Sequence, residues 1–204
     1  MFHVEKGLEA AGISAPTVFV EKARKHLEEV YRWNKVHDLT AVQPEDAVER
    51  HLVDSLLPFV GMAQPANLLD VGTGAGFPGI FLALWWPGTK VTLCEPLRKR
   101  RSFLDTSCAR LDLDCVIVSE PVERLEGQWA MVTSRATLPW RILLNAGGER
   151  TEPGGRLVGL LGPDQAPEVG ELKPDSTWQE IARRPYSLPS GAQRIVLEAR
   201  KCST

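Results

Sequence analysis

One stretch limits the possible folds of this chain more than any other: Leu68-Leu69-Asp70-Val71-Gly72-Thr73-Gly74-Ala75-Gly76-Phe77-Pro78-Gly79. An apolar run broken only by Asp70 enters a glycine-rich turn, and an apolar segment with Pro near its first position follows. Strand, tight turn and helix in that order open an α/β sheet, whose ligands lie beyond the carboxyl ends of the strands. Glycines allow the turn and let the backbone approach a ligand closely. A ligand site is therefore expected at the turn, with Asp70 shaping it.

The flanking segments extend this pattern. Beyond Pro65, β-rich runs alternate with helical ones, predicting strands at Asn67–Val71, Lys90–Glu95, Cys115–Val118, Trp129–Thr133 and Arg156–Leu161. Helices are expected between them at about Pro78–Trp85, Leu97–Leu111 and Leu138–Ala146. Thr177–Ala182 and Gln193–Ala199 read as two more strands, joined through Pro185, Pro189 and Gly191, and the lack of a helix between them suggests an antiparallel pair. Upstream, Val20, Ala23, Leu27, Val30 and Tyr31 recur at helical spacing from Thr17 to about Trp33, and a second helix should run from Pro44 to Leu57, stopped by Pro58. The expected architecture is one α/β domain over residues 1–204. A helical lead-in (1–64) precedes a Rossmann-like core (65–204) with a mostly parallel seven-stranded sheet and helices on both faces.

Several function classes drop out. Cys94, Cys108, Cys115 and Cys202 form no CxxC pair and have no nearby His at a ligand spacing, so neither a metal site nor a redox motif is expected. The longest apolar runs, such as Ile80 to Trp86, fall far short of the roughly 20 residues of a membrane span. Met1 to Gly12 lacks the basic start and apolar middle of a signal peptide, so the expected location is cytoplasmic. A formal net charge of −2 gives no global attraction to a polyanion, and any nucleic-acid contact must come from a local cluster of Lys and Arg.

The turn itself narrows the ligand. A dinucleotide fingerprint G-x-G-x-x-G counted from Gly72 fails, because Phe77 stands where the third glycine belongs. The frame Gly74-x-Gly76-x-x-Gly79 does match, which leaves a nicotinamide-dependent oxidoreductase as an alternative, although it starts late and holds Pro78 inside it. Glu95 closes the second strand, where an acid can accept hydrogen bonds from ribose hydroxyls. The form Asp-x-Gly-x-Gly-x-Gly resembles motif I of the S-adenosylmethionine methyltransferases, whose loop lies against the cofactor's amino acid and sulfonium portion.

From Asn34 to Arg194 the chain resembles the family first called glucose-inhibited division protein B, the ribosomal small-subunit guanine-N7 methyltransferases. The likeness rests on Asn34 with Leu39-Thr40-Ala41, on Arg50-His51-Leu52-Val53-Asp54-Ser55-Leu56, on Asp70 through Ile80, on Lys99-Arg100 with Phe103-Leu104, and on Ser134-Arg135-Ala136. It implies a class I methyltransferase that uses S-adenosylmethionine on 16S ribosomal RNA or the 30S subunit. The implied cofactor pocket takes Asp70, Gly72, Thr73, Gly74, Gly76 and Phe77 from the loop, with Glu95, Val122, Glu123 and Arg135. Arg135 and Arg194 are the implied active-site arginines, and Arg50, Lys99, Arg100 and Arg194 the implied RNA contacts. Two departures remove positive charge. Pro121 replaces a family Arg, and Leu160-Leu161-Gly162 lacks a family Lys, which keeps open a non-catalytic, cofactor-binding assembly factor.

Guanine N7 carries a lone pair and no proton, so an attack from it needs no general base. The absence of a Ser/His/Asp or paired-carboxylate constellation is compatible with that chemistry, which depends on positioning. The run Arg98-Lys99-Arg100-Arg101 opens a helix where the macrodipole disfavours cations, a placement that RNA binding would explain. His51 is expected to be structural, His26 and His37 exposed, and Trp85 or Trp86 packed; Trp140 is better placed for base stacking.

Overall fold

The computed structural model describes residues 2–135, 138–167 and 177–203, and its seven strands form one sheet. They are β1 (Asn67–Val71), β2 (Lys90–Cys94), β3 (Val116–Val118), β4 (Trp129–Arg135), β5 (Thr151–Leu161), β6 (Trp178–Ser187) and β7 (Gln193–Lys201). The spatial order is β3-β2-β1-β4-β5-β7-β6; β1 to β5 pair in parallel, and β7 runs antiparallel to both β5 and β6. β1 thus sits centrally, and the chain reverses direction across the sheet between β3 and β4. That switch point opens a crevice at the carboxyl edge.

Side-chain alternation assigns the two faces. Leu68, Val91, Leu93, Met131, Val158, Leu160 and Val196 point into one apolar cluster, while Leu69, Val71, Cys94, Val132, Leu157, Ile195 and Leu197 point into another. Leu68 and Leu69 are each fully buried, on opposite sides of β1, and such a side chain contributes roughly 1.5–3 kcal/mol. The first face is covered by α1 (Val4–Ala10), α2 (Thr17–His37), α3 (48–56), α4 (Gly79–Trp85) and α5 (Arg98–Leu111). α3 opens as a π-helical stretch, Val48–Val53, and continues as Asp54–Leu56. α6 covers the second face as Trp140–Ile142, a π-helical Leu143–Gly147 and Gly148–Arg150.

Several elements differ from the sequence pattern. α1 was not anticipated: its apolar contribution is only Val4 and Leu8, too few for a periodic signal. The helix expected over Pro44–Leu57 is instead a 3-10 turn at Pro44–Asp46, then α3, then a 3-10 turn at Leu57–Phe59 that contains Pro58. β6 runs through Pro185 because it is an edge strand, where a missing N–H costs no ladder bond. Trp86 and Trp140 are buried; Trp140 lies over Gly159, where a Cβ would come within 3.0 Å of its ring, so it is not an exposed stacking platform.

His26 is buried, not exposed, with Nδ1 2.8 Å from the Ser107 hydroxyl on α5. Nearby, Glu29 receives Arg32, Arg110 and the Trp33 indole at 2.8–3.0 Å. These contacts join the helical lead-in to α5. Among the described residues, no helix is long and apolar enough to cross a membrane, and no His/Cys/Asp/Glu group could hold a metal ion.

Candidate active site

The glycine turn is built around Asp70. Fully buried at the end of β1, its Oδ2 accepts the Thr73 hydroxyl at 2.6 Å and the Gly79 N–H at 2.7 Å, so one oxygen ties the turn to the first residue of α4. Burial raises its pKa to about 6, opposed by those two hydrogen bonds. Gly79 must be glycine for this approach, since a Cβ there would lie 2.4 Å from Leu93 and 2.7 Å from Asp70 Oδ2. Gly74 differs: its φ is +59°, and an added Cβ would meet nothing nearer than 4.0 Å. The space before Gly74 is open, and a side chain would enter it.

Glu95 follows β2 and is almost completely buried. Its Oε2 accepts the Gly74 N–H at 3.0 Å and its Oε1 accepts the Leu97 N–H at 2.8 Å, coupling the turn to the start of α5. Arg100 lies 3.7 Å from the same carboxylate, at the rim of this turn. Arg101 donates to the Glu95 and Pro96 carbonyls. Those local acceptors offset the unfavourable helix dipole, leaving Arg98 and Lys99 as the exposed cations of the run. Val122 is buried and Glu123 exposed in the 3-10 turn Val122–Arg124 after β3.

Phe77 walls the other side. The His51 ring stacks on it at 4.3 Å, and the Arg135 guanidinium carbon lies 5.1 Å from its centroid. His51 contacts the Thr40 hydroxyl through Nε2 at 3.0 Å. Its pKa is lowered to about 3 by burial first and then by the Arg135, His26 and Arg50 charges, so it stays neutral at physiological pH and acts as a structural ring.

Arg135 ends β4, beside a Ser134 whose hydroxyl donates to the Val71 carbonyl at 2.9 Å. Its guanidinium donates to the Arg50 carbonyl at 2.9 Å and lies 3.7 Å from Asp54. Arg194, early in β7, donates from Nε to Asp54 at 3.3 Å, and the Tyr186 hydroxyl donates to Asp54 at 2.9 Å. One carboxylate on α3 thus gathers both predicted arginines at the carboxyl edge of the sheet. These four residues line a small cavity of about 40 Å³ with Leu160, Leu161 and Gly162. The Arg50 side chain is exposed. A larger cleft of about 610 Å³ involves Phe19, Trp85 and Lys90 at the opposite edge, so volume alone does not mark the site.

Asp54 and Tyr186 were missed as site residues. Asp54 had a signal in its position within His51-Leu52-Val53-Asp54-Ser55; Tyr186 had none, lying between Pro185 and Pro189 in a stretch read as a connection. Ala136 lies outside the described residues.

The family model for rRNA small subunit methyltransferase G (GidB) matches residues 19–195. The chain belongs to that family. Among its relatives, a protein of Stenotrophomonas maltophilia (strain K279a) named ribosomal RNA small subunit methyltransferase G is 35% identical over 201 residues, covering 95% of this chain and 92% of that one. A protein of the same name from Methylobacillus flagellatus is 42% identical over 139 residues, covering 65% and 66% of the two chains. The fold is shared with a methyltransferase from Pyrococcus furiosus (TM-score 0.60, 14% identity, 89% of this chain and 98% of that one). It is also shared with TYW2 from P. horikoshii, solved in complex with MeSAdo (TM-score 0.58, 12% identity, 74% and 63%).

Proposed function

We propose that this protein transfers a methyl group from S-adenosylmethionine to N7 of a guanine in small-subunit ribosomal RNA, presented as free RNA or within the 30S subunit in the cytoplasm. The observation that carries the reading is the joining of Glu95 to the glycine turn at Gly74, beside two arginines gathered by Asp54, in a chain of this family.

The residues present fit the cofactor. Glu95 uses one acceptor position on each oxygen for a backbone N–H, and a carboxylate offers about four, so two remain for ribose hydroxyls. Open space before Gly74 leaves room for a ligand against the backbone. Asp70 Oδ1 is buried with no hydrogen-bond partner, and an acid beneath the turn favours a cationic group in front of it. S-adenosylmethionine, when bound, supplies an electrophilic methyl group on a positively charged sulfur.

This chain's residues then hold and orient. Gly72, Thr73, Gly74 and Gly76 form the cradle, Phe77 its wall, Glu95 the ribose grip, and Val122 and Glu123 the adenine side. Arg135 and Arg194 face the nucleotide, where a guanidinium can take a phosphate or the O6 edge next to N7. No proton has to leave N7, so no group near it needs to act as a base. Alignment of the nucleophile, not acid–base chemistry, is what the site provides. Arg50 and Lys99 supply outlying phosphate contacts.

Incubation with methyl-labelled S-adenosylmethionine and small ribosomal subunits, or RNA stripped from them, should place label on one guanine, at which borohydride reduction followed by aniline then cuts the strand. Label on protein, or none on either RNA, would overturn the reading. Stabilisation against heat by NAD but not by S-adenosylhomocysteine would replace it with the oxidoreductase alternative.

A further inference from the structure

The sheet face that carries Arg135 also carries a line of arginines that the site above does not use. Residues paired directly across strands point to the same face. Arg135 pairs with Leu160 on β5, Leu160 with Val196 on β7, and Val196 with Arg184 on β6. Stepping by two along each strand, the same face receives Arg156 on β5, and Arg194, Glu198 and Arg200 on β7. Arg156 is itself paired with Arg200, and Arg194 with Tyr186.

Arg156, Arg184 and Arg200 surround a shallow depression of about 180 Å³ with Glu198 and Ala182. Glu198 holds Arg156 at 2.5 Å and Arg184 at 2.9 Å. Among the side chains lining the depression, three guanidinium groups face one carboxylate, in a chain whose formal net charge is −2. The two bridged arginines remain 41% and 49% exposed, so their forks are oriented by Glu198 while staying open to a ligand. Ion pairs that exposed contribute little to folding, which leaves the cluster without a strong structural purpose.

We propose that this depression seats backbone phosphates of the RNA strand flanking the target nucleotide, so that the strand passes from Arg200 by way of exposed Arg184 on the edge strand β6 to the Arg194–Arg135 pair, skirting Val196, which is buried between them. The proposal rests on the ribosomal RNA reading given above. Arg200 and Arg194 are six strand steps apart, about 20 Å at 3.4 Å per residue, a span of several nucleotides. Guanidinium forks match phosphate oxygens in pairs, and a fork already held in place loses less freedom on binding. Clustered charge on one face gives an overall acidic protein the local attraction it otherwise lacks.

The test is binding of a fluorescent fragment of small-subunit ribosomal RNA to the full chain, followed by anisotropy over a range of salt. Each lost phosphate contact should flatten the slope of log K against log salt by about 0.7, so the triple variant Arg156→Gln/Arg184→Gln/Arg200→Gln should lose about 2 from the slope and bind roughly 10- to 100-fold more weakly. Its affinity for S-adenosylhomocysteine should not change. Glu198→Gln should move the other way, binding RNA several-fold more tightly, because it removes the competing carboxylate. An unchanged slope in the triple variant, or weaker binding in Glu198→Gln, overturns the proposal. Arginine-dependent capture of anionic lipid vesicles in place of RNA does so too. Because RNA binding is read without methyl transfer, a protein that methylates RNA but shows no slope change fails here alone. One that binds RNA through these arginines without transferring methyl fails only the catalytic reading.

Discussion

Acid should destabilise this protein, and three buried groups set how steeply. Burial lowers His26 to about 3 and His51 to about 3 from an ordinary 6.5, while it raises Asp70 from 3.8 to about 6. With a folded pKa below the unfolded one, each histidine lets the unfolded chain bind an extra proton between about pH 3 and 6.5, so stability falls as pH drops through that window. Asp70 has the opposite sign. Its folded form keeps a proton that the unfolded chain has released between about pH 3.8 and 6, so its contribution rises as pH falls there. Each group contributes at most about 1.4 kcal/mol per pH unit, and two histidines against one aspartate leave a net loss of roughly 1–2 kcal/mol for the unit between about pH 5.5 and 4.5. Urea unfolding at those two pH values reads the difference directly. Asp70→Asn removes the opposing contribution and should steepen the loss to about 2–3 kcal/mol. A wild-type stability that is flat or rising toward the lower pH, or a variant slope no steeper than wild type, would refute the assignment of these groups as buried and uncharged.

Asp54→Ala should cost about 2–4 kcal/mol, because it strips Tyr186 of its acceptor and leaves Arg135 and Arg194 facing one another; for a chain of this size the melting temperature should drop by roughly 5–15 °C. Asp54→Asn, which keeps an acceptor, should lose less. Arg135→Ala should reduce methyl transfer to small-subunit RNA far more than Arg183→Ala, whose side chain is exposed on the edge strand, and equal effects would dismiss the site assignment. Gly79→Ala should lower stability by about 1–3 kcal/mol through the clash with Leu93 and Asp70, whereas Gly74→Ala meets no such clash, should cost about 1–2 kcal/mol through its +59° backbone, and should in addition weaken S-adenosylhomocysteine binding.

Much of the fold was legible because it depends on short-range pattern. The strand ending at Val71 and the turn after it were readable from apolar residues followed by glycines, and β1 spans the expected Asn67–Val71 without change. β5 was harder: it begins at Thr151, upstream of the expected Arg156, because only Thr151 pairs with β4 there, and Glu152, Pro153 and two glycines, which carry no strand signature, bulge out before pairing resumes at Arg156. Tertiary packing also overrode polarity at His26, which sits between Phe77, Phe81 and Phe103 at 5.2–5.9 Å where a sequence reading sees only a charged helix segment.

The site divides along the same line. Glu95 and Gly74 lie 21 positions apart at the ends of neighbouring strands, and the regular strand–turn–helix spacing brings such a pair together, so their contact could be anticipated. Asp54, Arg135 and Arg194 obey no such spacing. Their meeting depends on α3 crossing the carboxyl edge and on β7 returning antiparallel beside β5, a topology that local periodicity does not encode. The same return strand brings Arg156 of β5 beside Arg200 of β7, and the edge strand adds Arg184. Charge that looks scattered along the tail therefore becomes a line only once the antiparallel pair is formed. A chain with no net attraction to RNA can in this way acquire a directed one, because strand pairing concentrates a few arginines that the sequence spreads over 66 positions, from Arg135 to Arg200 inclusive.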